Sequence, residues 1–362
     1  MESTSTVDPI SLLFVRPSRH RWVHLIVDSD TELLTTAELA AAGLPMPAKL
    51  RPSLYKKEFG DRVFKVITGA FALGVILIGV WIGLQSLGVA EPVFKTIGFW
   101  EFIKGTTWDP VSREFGALPF IYGTLVTSAI ALVIAAPLGL GAALFLSELA
   151  PEWLRRITLP LVELLAAIPS VVYGLWGIFV LAPFMSTTVQ PFLIEHFGES
   201  PFFKGYPLGV GMLTAGLILS VMVVPFVVSV SQEVIQTAPV PLREGMLALG
   251  ATRWEVLRKV VLPYGRSGIF GAVILGLARA LGETMAVTMV IGNTPKISAS
   301  LLDPGYTMAT VIANEFTEAT YDYYISALVA IAFILFIITI IVNGAARLLI
   351  WRVSGSLQRS AR

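Results

Sequence analysis

Six apolar stretches, each long enough to cross a lipid bilayer, dominate the sequence. A spanning helix needs about 20 mostly apolar residues, and charged residues make up only 14% of this chain, against about 25% in a soluble domain. The sequence therefore predicts an all-α membrane protein with six transmembrane helices and excludes a soluble fold. The six stretches are Val63–Leu87, Pro119–Leu146, Ile157–Phe184, Pro207–Val230, Gly268–Gly292 and Tyr324–Leu349.

Lysine and arginine residues are distributed unevenly over the loops between these stretches. Of the 26 basic residues, 17 border the stretches on the side that holds both termini, and five lie on the opposite side. Because basic loops are retained in the cytoplasm, we predict that both termini are cytoplasmic. We call the two faces the basic side, which includes residues 237–252, and the acidic side, which includes residues 293–323 with four carboxylates against one lysine.

The composition excludes several kinds of chemistry. The chain has no Cys and only three His, which excludes disulfides and thiolate metal sites and argues against any metal site. A net charge of +1 does not favour nucleic acid, because nucleic-acid-binding domains are strongly basic. The dipeptide Gly-Lys of a P-loop does not occur. We therefore predict no catalytic residue, no metal and no cofactor in this chain.

The first 55 residues differ from the rest of the chain. They carry scattered charge and no apolar run long enough to span a membrane or to form the core of a signal peptide. We predict two parts, a cytoplasmic N-terminal extension over residues 1–55 and a six-helix transmembrane domain over residues 56–362.

The basic loop over residues 239–266 encodes two short helices. Pro239 favours the start of the first helix and Gly250 its end. Thr252 and Glu255 have the spacing of a capping box, which opens a second helix that leads back to the membrane. On periodicity alone, this loop is an ordinary helical hairpin at the membrane interface.

Two charged residues interrupt the fifth apolar stretch. Arg279 lies about 17 Å into it at the α-helical rise, close to the middle of a bilayer, where charge is expensive and marks a pathway or a buried pair. The spacing i, i+4 predicts that Arg279 and Glu283 share one helix face within reach of each other. Two interpretations remain open, a structural ion pair that locks neighbouring helices and a pair that lines an anion pathway.

The loop also carries a family signature. The positions that match it are Glu244, Gly250, Leu262 and Pro263, and those that depart from it are Gly245, Met246 and Val260. At this spacing the loop resembles the signature loop of ABC importer permeases. The resemblance implies the type I ABC importer permease fold, in which this loop supplies a coupling helix that docks into a groove on a cytoplasmic ATPase subunit.

Three further stretches resemble the phosphate-specific members of that family. They are Leu277–Asn293, which includes Arg279 and Glu283, a second stretch from Ile168 to Gly174, and Ala313–Phe316. From the second stretch we predict a helix kink and close helix packing at Pro169, Ser170, Tyr173 and Gly174. The resemblance implies that Arg279 offers its guanidinium fork to phosphate along the pathway.

The resemblance implies a set of partners as well. They are a homologous second permease, two ATPase subunits that bind ATP and Mg²⁺, an extracytoplasmic phosphate-binding protein and the lipid of a bacterial inner membrane. The chain is then a non-catalytic subunit of an ATP-driven phosphate uptake system. Two alternatives stay open: an ABC permease for another oxyanion such as molybdate or sulfate, and a secondary transporter coupled to an ion gradient.

Overall fold

The computed structural model describes the backbone of residues 54–360 and the side chains of residues 60–348. The predicted extension over residues 1–55 lies outside the described residues except for its last two, and it stays a prediction. Within the described part, six helices are long and apolar enough to cross a membrane, which confirms the predicted number of spans. They cover Gly60–Thr96, Leu118–Leu149, Ser170–Phe197, Met212–Gln236, Arg253–Gly282 and Asp322–Leu348.

The regular elements follow one another with mostly short connections, apart from residues 198–211 and 291–307. The α-helices are α1 (Leu54–Thr96), α2 (Phe99–Lys104), α3 (Leu118–Leu144), α4 (Glu152–Ala167), α5 (Ser170–Trp176), α6 (Ala182–Phe184), α7 (Gln190–Phe197), α8 (Met212–Gln236), α9 (Val240–Ala248), α10 (Arg253–Val256), α11 (Leu262–Gly282), α12 (Met285–Val290), α13 (Met308–Glu315) and α14 (Asp322–Ser360). Two short strands, β1 (Trp108–Asp109) and β2 (Glu114–Phe115), pair antiparallel on the acidic side.

The chain divides into two compact units after Gly79. In the first unit, α1 exposes apolar side chains on several faces, among them Phe64, Phe71 and Ile76. A helix that is hydrophobic all round is typical of a membrane span.

In the second unit, residues 80–362, helix α8 forms the centre of the bundle. In the most apolar part of this helix, 61% of the residues are buried, more than in any other described span. The reason is that α3, α4, α11 and α12 all pack against it. Ile218, Leu219, Met222 and Val223 of α8 join buried residues of α3, α11 and α12 in one apolar cluster. This arrangement fixes the depth of α11 relative to α8.

Four π-helical segments widen the spans, and each ends two residues before a proline. A proline lacks the N–H that continues the ladder and its ring displaces the carbonyl of the residue four positions earlier, so the wider i to i+5 turn relieves both defects. Proline does not always require one, since Pro137 and Pro225 lie inside continuous α-helices. The segments are Phe145–Leu149, Gly177–Leu181, Met185–Val189 and Leu257–Val261.

Two of the predicted spans have wrong boundaries, because each contains a break between two helices. The stretch Ile157–Phe184 does not form one helix, because α4 ends at Ala167 and α5 begins at Ser170. The stretch Gly268–Gly292 is broken as well, because α11 ends at Gly282 and α12 begins at Met285. Both runs are apolar overall despite the charged residues Glu163, Arg279 and Glu283, so their mean hydropathy does not reveal that the backbone becomes extended inside them.

Candidate functional site

The two helix breaks provide the candidate site. Ile168 and Pro169 have ψ angles of 131° and 138°, so the chain is extended between α4 and α5. Glu283 has a ψ angle of 128° between α11 and α12. Non-helical backbone at membrane depth is tolerated where protein or a water-filled cavity surrounds it, and discontinuous helices in transporters are typical of substrate sites.

The helices that follow the two breaks lie directly against each other. A methyl group added at Gly174 of α5 would come 2.6 Å from the sulfur of Met289 and 3.1 Å from the Cα of Ala286. One turn later, Gly177 makes an equally close approach to Val290. The two breaks therefore belong to one place in the fold, and glycine at position 174 permits the contact.

Pro169 ends a helix instead of kinking one. It precedes Ser170, the first residue of α5, and the Tyr173 hydroxyl donates a hydrogen bond of 2.8 Å back to the carbonyl oxygen of Leu165 in the last turn of α4. That carbonyl is one of those that a helix end leaves without an intrahelical partner. The tyrosine thus bridges the break and satisfies a polar group that would be costly to bury alone.

Arg279 lies near the middle of the bundle. Its guanidinium carbon is 5.9 Å from the ring centroid of Phe226, and Phe226 is the fifteenth of the 25 residues of α8. Gly276, one turn before Arg279, packs against Val223 and Val227 of α8 and confirms this depth. The side chain is half-buried.

The predicted pairing of Arg279 with Glu283 is wrong. No ion pair among residues 60–348 includes either of them, and Glu283 is the first residue after the end of α11, where the backbone becomes extended. Glu283 instead accepts a hydrogen bond of 3.3 Å from the backbone N–H of Ala286 at the start of α12. Each charge thus complements its own helix end, since a helix is partly positive at its N-terminus and partly negative at its C-terminus.

The loop on the basic side folds as predicted. Helix α9 ends before Gly250, whose φ angle of +85° is the left-handed conformation that glycine adopts without strain. Thr252 and Glu255 form the predicted capping box with each other's backbone N–H groups. Glu244 is exposed on α9.

The rest of this loop leads into the fifth span. Leu262 and Pro263 open α11, directly after a π-helical segment. Arg279 is the sixteenth residue after Pro263 in this helix, about 24 Å away at the α-helical rise. The loop and the helix breaks are therefore two separate sites joined by one helix.

The sequence reasoning missed an ion pair at the end of the second span. Arg243 Nη1 of α9 lies 2.8 Å from Glu148 Oε1, and Arg243 Nη2 donates a hydrogen bond of 2.7 Å to the carbonyl oxygen of Ile235. The available signal was Glu148 itself, the first charged residue after an uncharged run that begins at Phe115.

On the acidic side, Glu315 connects two aromatic side chains. Its Oε2 atom accepts hydrogen bonds from the Trp108 indole, at 2.8 Å, and from the Tyr324 hydroxyl, at 2.6 Å. Nearby, burial raises the pKa of Tyr306 to about 12, so its neutral hydroxyl accepts a hydrogen bond from the Asn314 amide. These bonds join the hairpin of β1 and β2 to the segment before the last span.

Comparison with known proteins identifies similar chains. Residues 135–355 match the family model described as "Binding-protein-dependent transport system inner membrane component". The chain is 48% identical over 297 residues to the phosphate transport system permease protein PstC of Mesorhizobium japonicum, covering 81% of this chain and 90% of that protein. It is 38% identical over 311 residues to PstC 2 of Mycobacterium tuberculosis, covering 84% and 96% respectively.

Solved structures show the same fold at low sequence identity. A chain of a bacterial ABC transporter involved in the import of the acidic polysaccharide alginate matches with a TM-score of 0.51 and 19% identity, covering 79% of this chain and 98% of that one. A chain of the bacterial alginate ABC transporter in complex with an alginate-bound periplasmic protein matches with a TM-score of 0.50 and 18% identity, covering 82% and 96%. The predicted fold class, six transmembrane helices in the type I ABC importer permease fold, is confirmed.

Proposed function

Since this chain belongs to the family of binding-protein-dependent transport system inner membrane components, we propose that it is the permease subunit of an ATP-driven phosphate importer. The observation that carries the proposal is the place of Arg279, a half-buried guanidinium at the middle of the bundle that forms no ion pair among the described residues. A cation at this depth is expensive unless it meets an anion. The similarity to PstC proteins supports phosphate as that anion.

Arg279 and Glu283 have different roles in this proposal. The planar guanidinium offers two parallel donors to two phosphate oxygens, a geometry that lysine lacks. The Glu283 carboxylate, held at the other side of the break by the Ala286 N–H, accepts a hydrogen bond from a phosphate oxygen that still carries a proton. Sulfate has no such proton at neutral pH, so the same carboxylate repels it.

The partners follow from the family and from the exposed loop. We propose a complex with a homologous second permease, two ATPase subunits that bind ATP and Mg²⁺, and an extracytoplasmic phosphate-binding protein. Helix α9 and the turn after it expose Leu242, Leu247 and Leu249 beside Glu244, which suits a groove on an ATPase subunit. The basic side and both termini then face the cytoplasm of a bacterial cell, and ATP hydrolysis belongs to the partner.

The direct test is transport by the reconstituted complex. Proteoliposomes with the whole complex and the binding protein should take up labelled phosphate only when ATP is supplied, and unlabelled phosphate should compete better than sulfate or molybdate. Equal competition by those anions would favour a permease for another oxyanion. Uptake by this chain alone, driven by an ion gradient without ATP, would overturn the proposal in favour of a secondary transporter.

Glu283→Gln should relax the choice between anions. The variant keeps the size of the side chain but removes the charge that repels a fully ionised oxyanion, so sulfate should inhibit phosphate uptake about tenfold more strongly, as expected for about 1.4 kcal/mol. Competition curves in proteoliposomes measure this. Glu199→Gln, which changes an exposed carboxylate on the acidic side, is the matched control, and identical curves for both variants would remove Glu283 from the site.

Glu244→Lys and Gly250→Leu should each weaken the attachment of the ATPase subunit. The first reverses an exposed charge on α9, and the second forces a side chain into a left-handed conformation at φ +85° that costs roughly 1–2 kcal/mol. Co-purification of the ATPase with the tagged permease measures the loss. Gly245→Ala is the control, because the site has open space and lies inside the helix. Full recovery of the ATPase with both variants would count against this docking surface.

A further inference from the structure

The ion pair between Arg243 and Glu148 joins three elements at one guanidinium. Arg243 belongs to α9, Glu148 lies in the π-helical segment that ends the second span, and Ile235 lies in the last turn of α8, the fourth span. The distances are 2.8 Å from Nη1 to Glu148 Oε1 and 2.7 Å from Nη2 to the Ile235 oxygen. One side chain therefore connects the exposed loop helix to two membrane spans.

The surroundings of this pair are largely apolar. The Arg243 and Glu148 side chains are 20% and 17% exposed, although they lie at the end of the bundle. Ile235 itself and Leu146, two residues before Glu148, belong to a buried cluster that also contains Val256 and Val261 from the start of the fifth span. Charges in such a place are screened less by water than exposed pairs, and removing one partner leaves the other uncompensated.

Helix α9 has few other attachments. None of its nine residues is buried. Its Met246 packs against the same apolar cluster, and the helix also touches α10 and the π-helical segment that follows it. The neighbouring residue Glu244, about 100° further round the helix, is exposed. The two adjacent residues thus have different surroundings, since Glu244 is open to a partner and Arg243 contacts the spans.

The hydrogen-bonding of the pair is incomplete. Glu148 Oε1 is in contact with Arg243 Nη1 at 2.8 Å, but the buried Arg243 Nε has no hydrogen-bond partner among the described residues. Buried polar atoms in folded proteins are nearly always satisfied, so an exception calls for a reason. One such reason is that the contact changes its geometry during a transport cycle. A pair with every hydrogen bond optimised in a single state would resist that movement.

We propose that the Arg243–Glu148 pair is the element that transmits displacement of α9 to the second and fourth spans. When the ATPase subunits close and move α9, the guanidinium pulls on Glu148 by charge and on the end of α8 through the Ile235 carbonyl. The movement then reaches α3 and α8, which form the most extensive helix–helix contact in the described bundle. This inference rests on the proposed function, since it concerns the coupling of that transport to ATP hydrolysis.

The test compares transport with ATP hydrolysis in the same proteoliposomes. Arg243→Gln and Glu148→Gln should each lower phosphate uptake by about tenfold or more, while the ATPase subunit still co-purifies and hydrolyses ATP within about twofold of the original rate. Phosphate uptake by Arg243→Lys should lie between that of the unmodified complex and that of Arg243→Gln. Lysine keeps the charge, but its single ammonium lacks the planar fork that reaches both acceptors. The double variant Arg243→Glu with Glu148→Arg should recover part of the uptake.

The controls separate this inference from the proposed function. Arg258→Gln removes an exposed arginine of the same loop and should leave uptake and hydrolysis unchanged. Uptake at the original rate in both Arg243→Gln and Glu148→Gln would overturn the inference and leave the importer intact. Loss of ATPase attachment in these two variants would overturn it as well, because the defect would then lie in docking and not in transmission. If the unmodified complex carries no phosphate, the proposed function itself fails.

Discussion

Arg279→Gln should reduce ATP-dependent phosphate uptake by one to two orders of magnitude. A hydrogen bond to a charged group contributes roughly 1.5–3 kcal/mol, and about 1.4 kcal/mol corresponds to a factor of ten. The guanidinium lies over the Phe226 ring at mid-bundle depth and has no carboxylate partner among the residues that the structure describes. Removing it therefore breaks no ion pair within the described chain, and the loss should come from the anion.

Lysine at this position should retain part of the transport. It keeps the positive charge but offers a single point donor in place of the planar fork, so Arg279→Lys should lie between the unmodified protein and the glutamine variant. Uptake of labelled phosphate over a range of concentrations measures both variants, with Arg258→Gln as an exposed control. Normal uptake by Arg279→Gln would exclude Arg279 from the pathway.

Gly174→Leu should destabilise the bundle more than any other single change at the site. A Cβ atom there would lie 2.6 Å from the Met289 sulfur and 3.1 Å from the Ala286 Cα, and the second neighbour is backbone that no side-chain rotation moves away. Overpacking of this kind costs about 1–3 kcal/mol, occasionally more. We expect a lower unfolding temperature of the detergent-solubilised protein and loss of uptake, because α12 must move away from α5.

Gly141→Leu is the matched control for this steric argument. It places the same side chain on another span, where no atom lies within 4 Å of the added Cβ. The two variants change hydrophobicity equally, so a difference between them reports the contact alone. Equal unfolding temperatures would show that α5 and α12 are not packed as closely as described.

The number and approximate position of the spans could be predicted because the signal is strong and local. A bilayer requires long apolar runs with every backbone group satisfied, and this chain has six such runs. The break in the third run could not be located because the residues around it, Ala167 to Ser170, are uncharged. The break in the fifth run could not be located because Arg279 and Glu283 also fit the i, i+4 spacing of a continuous helix. Pro169 marks one break, but Pro225 lies inside an uninterrupted helix and Glu283 follows a glycine at the other.

The sequence pointed to Arg279 and Glu283, and both lie at the helix break, but the predicted ion pair between them does not form. The i, i+4 rule holds for a continuous helix, and the chain leaves the helix at Gly282. The missed pair of Arg243 and Glu148 has another cause. Its members are 95 residues apart, so no periodicity connects them, whereas the capping box of Thr252 and Glu255 was visible because both members lie in one turn.

The π-helical segments bear on how relatives of this protein can differ in length. A hydrogen bond from i to i+5 encloses one residue more than the α-helical bond, so each segment accommodates the equivalent of a one-residue insertion while the helix on either side keeps its orientation. Helix α8 is α-helical throughout. There, one added residue rotates every later side chain by about 100° and turns the most buried face of the bundle outward. Evolution therefore has freedom to add or remove a residue in the second, third and fifth spans that it lacks in the fourth.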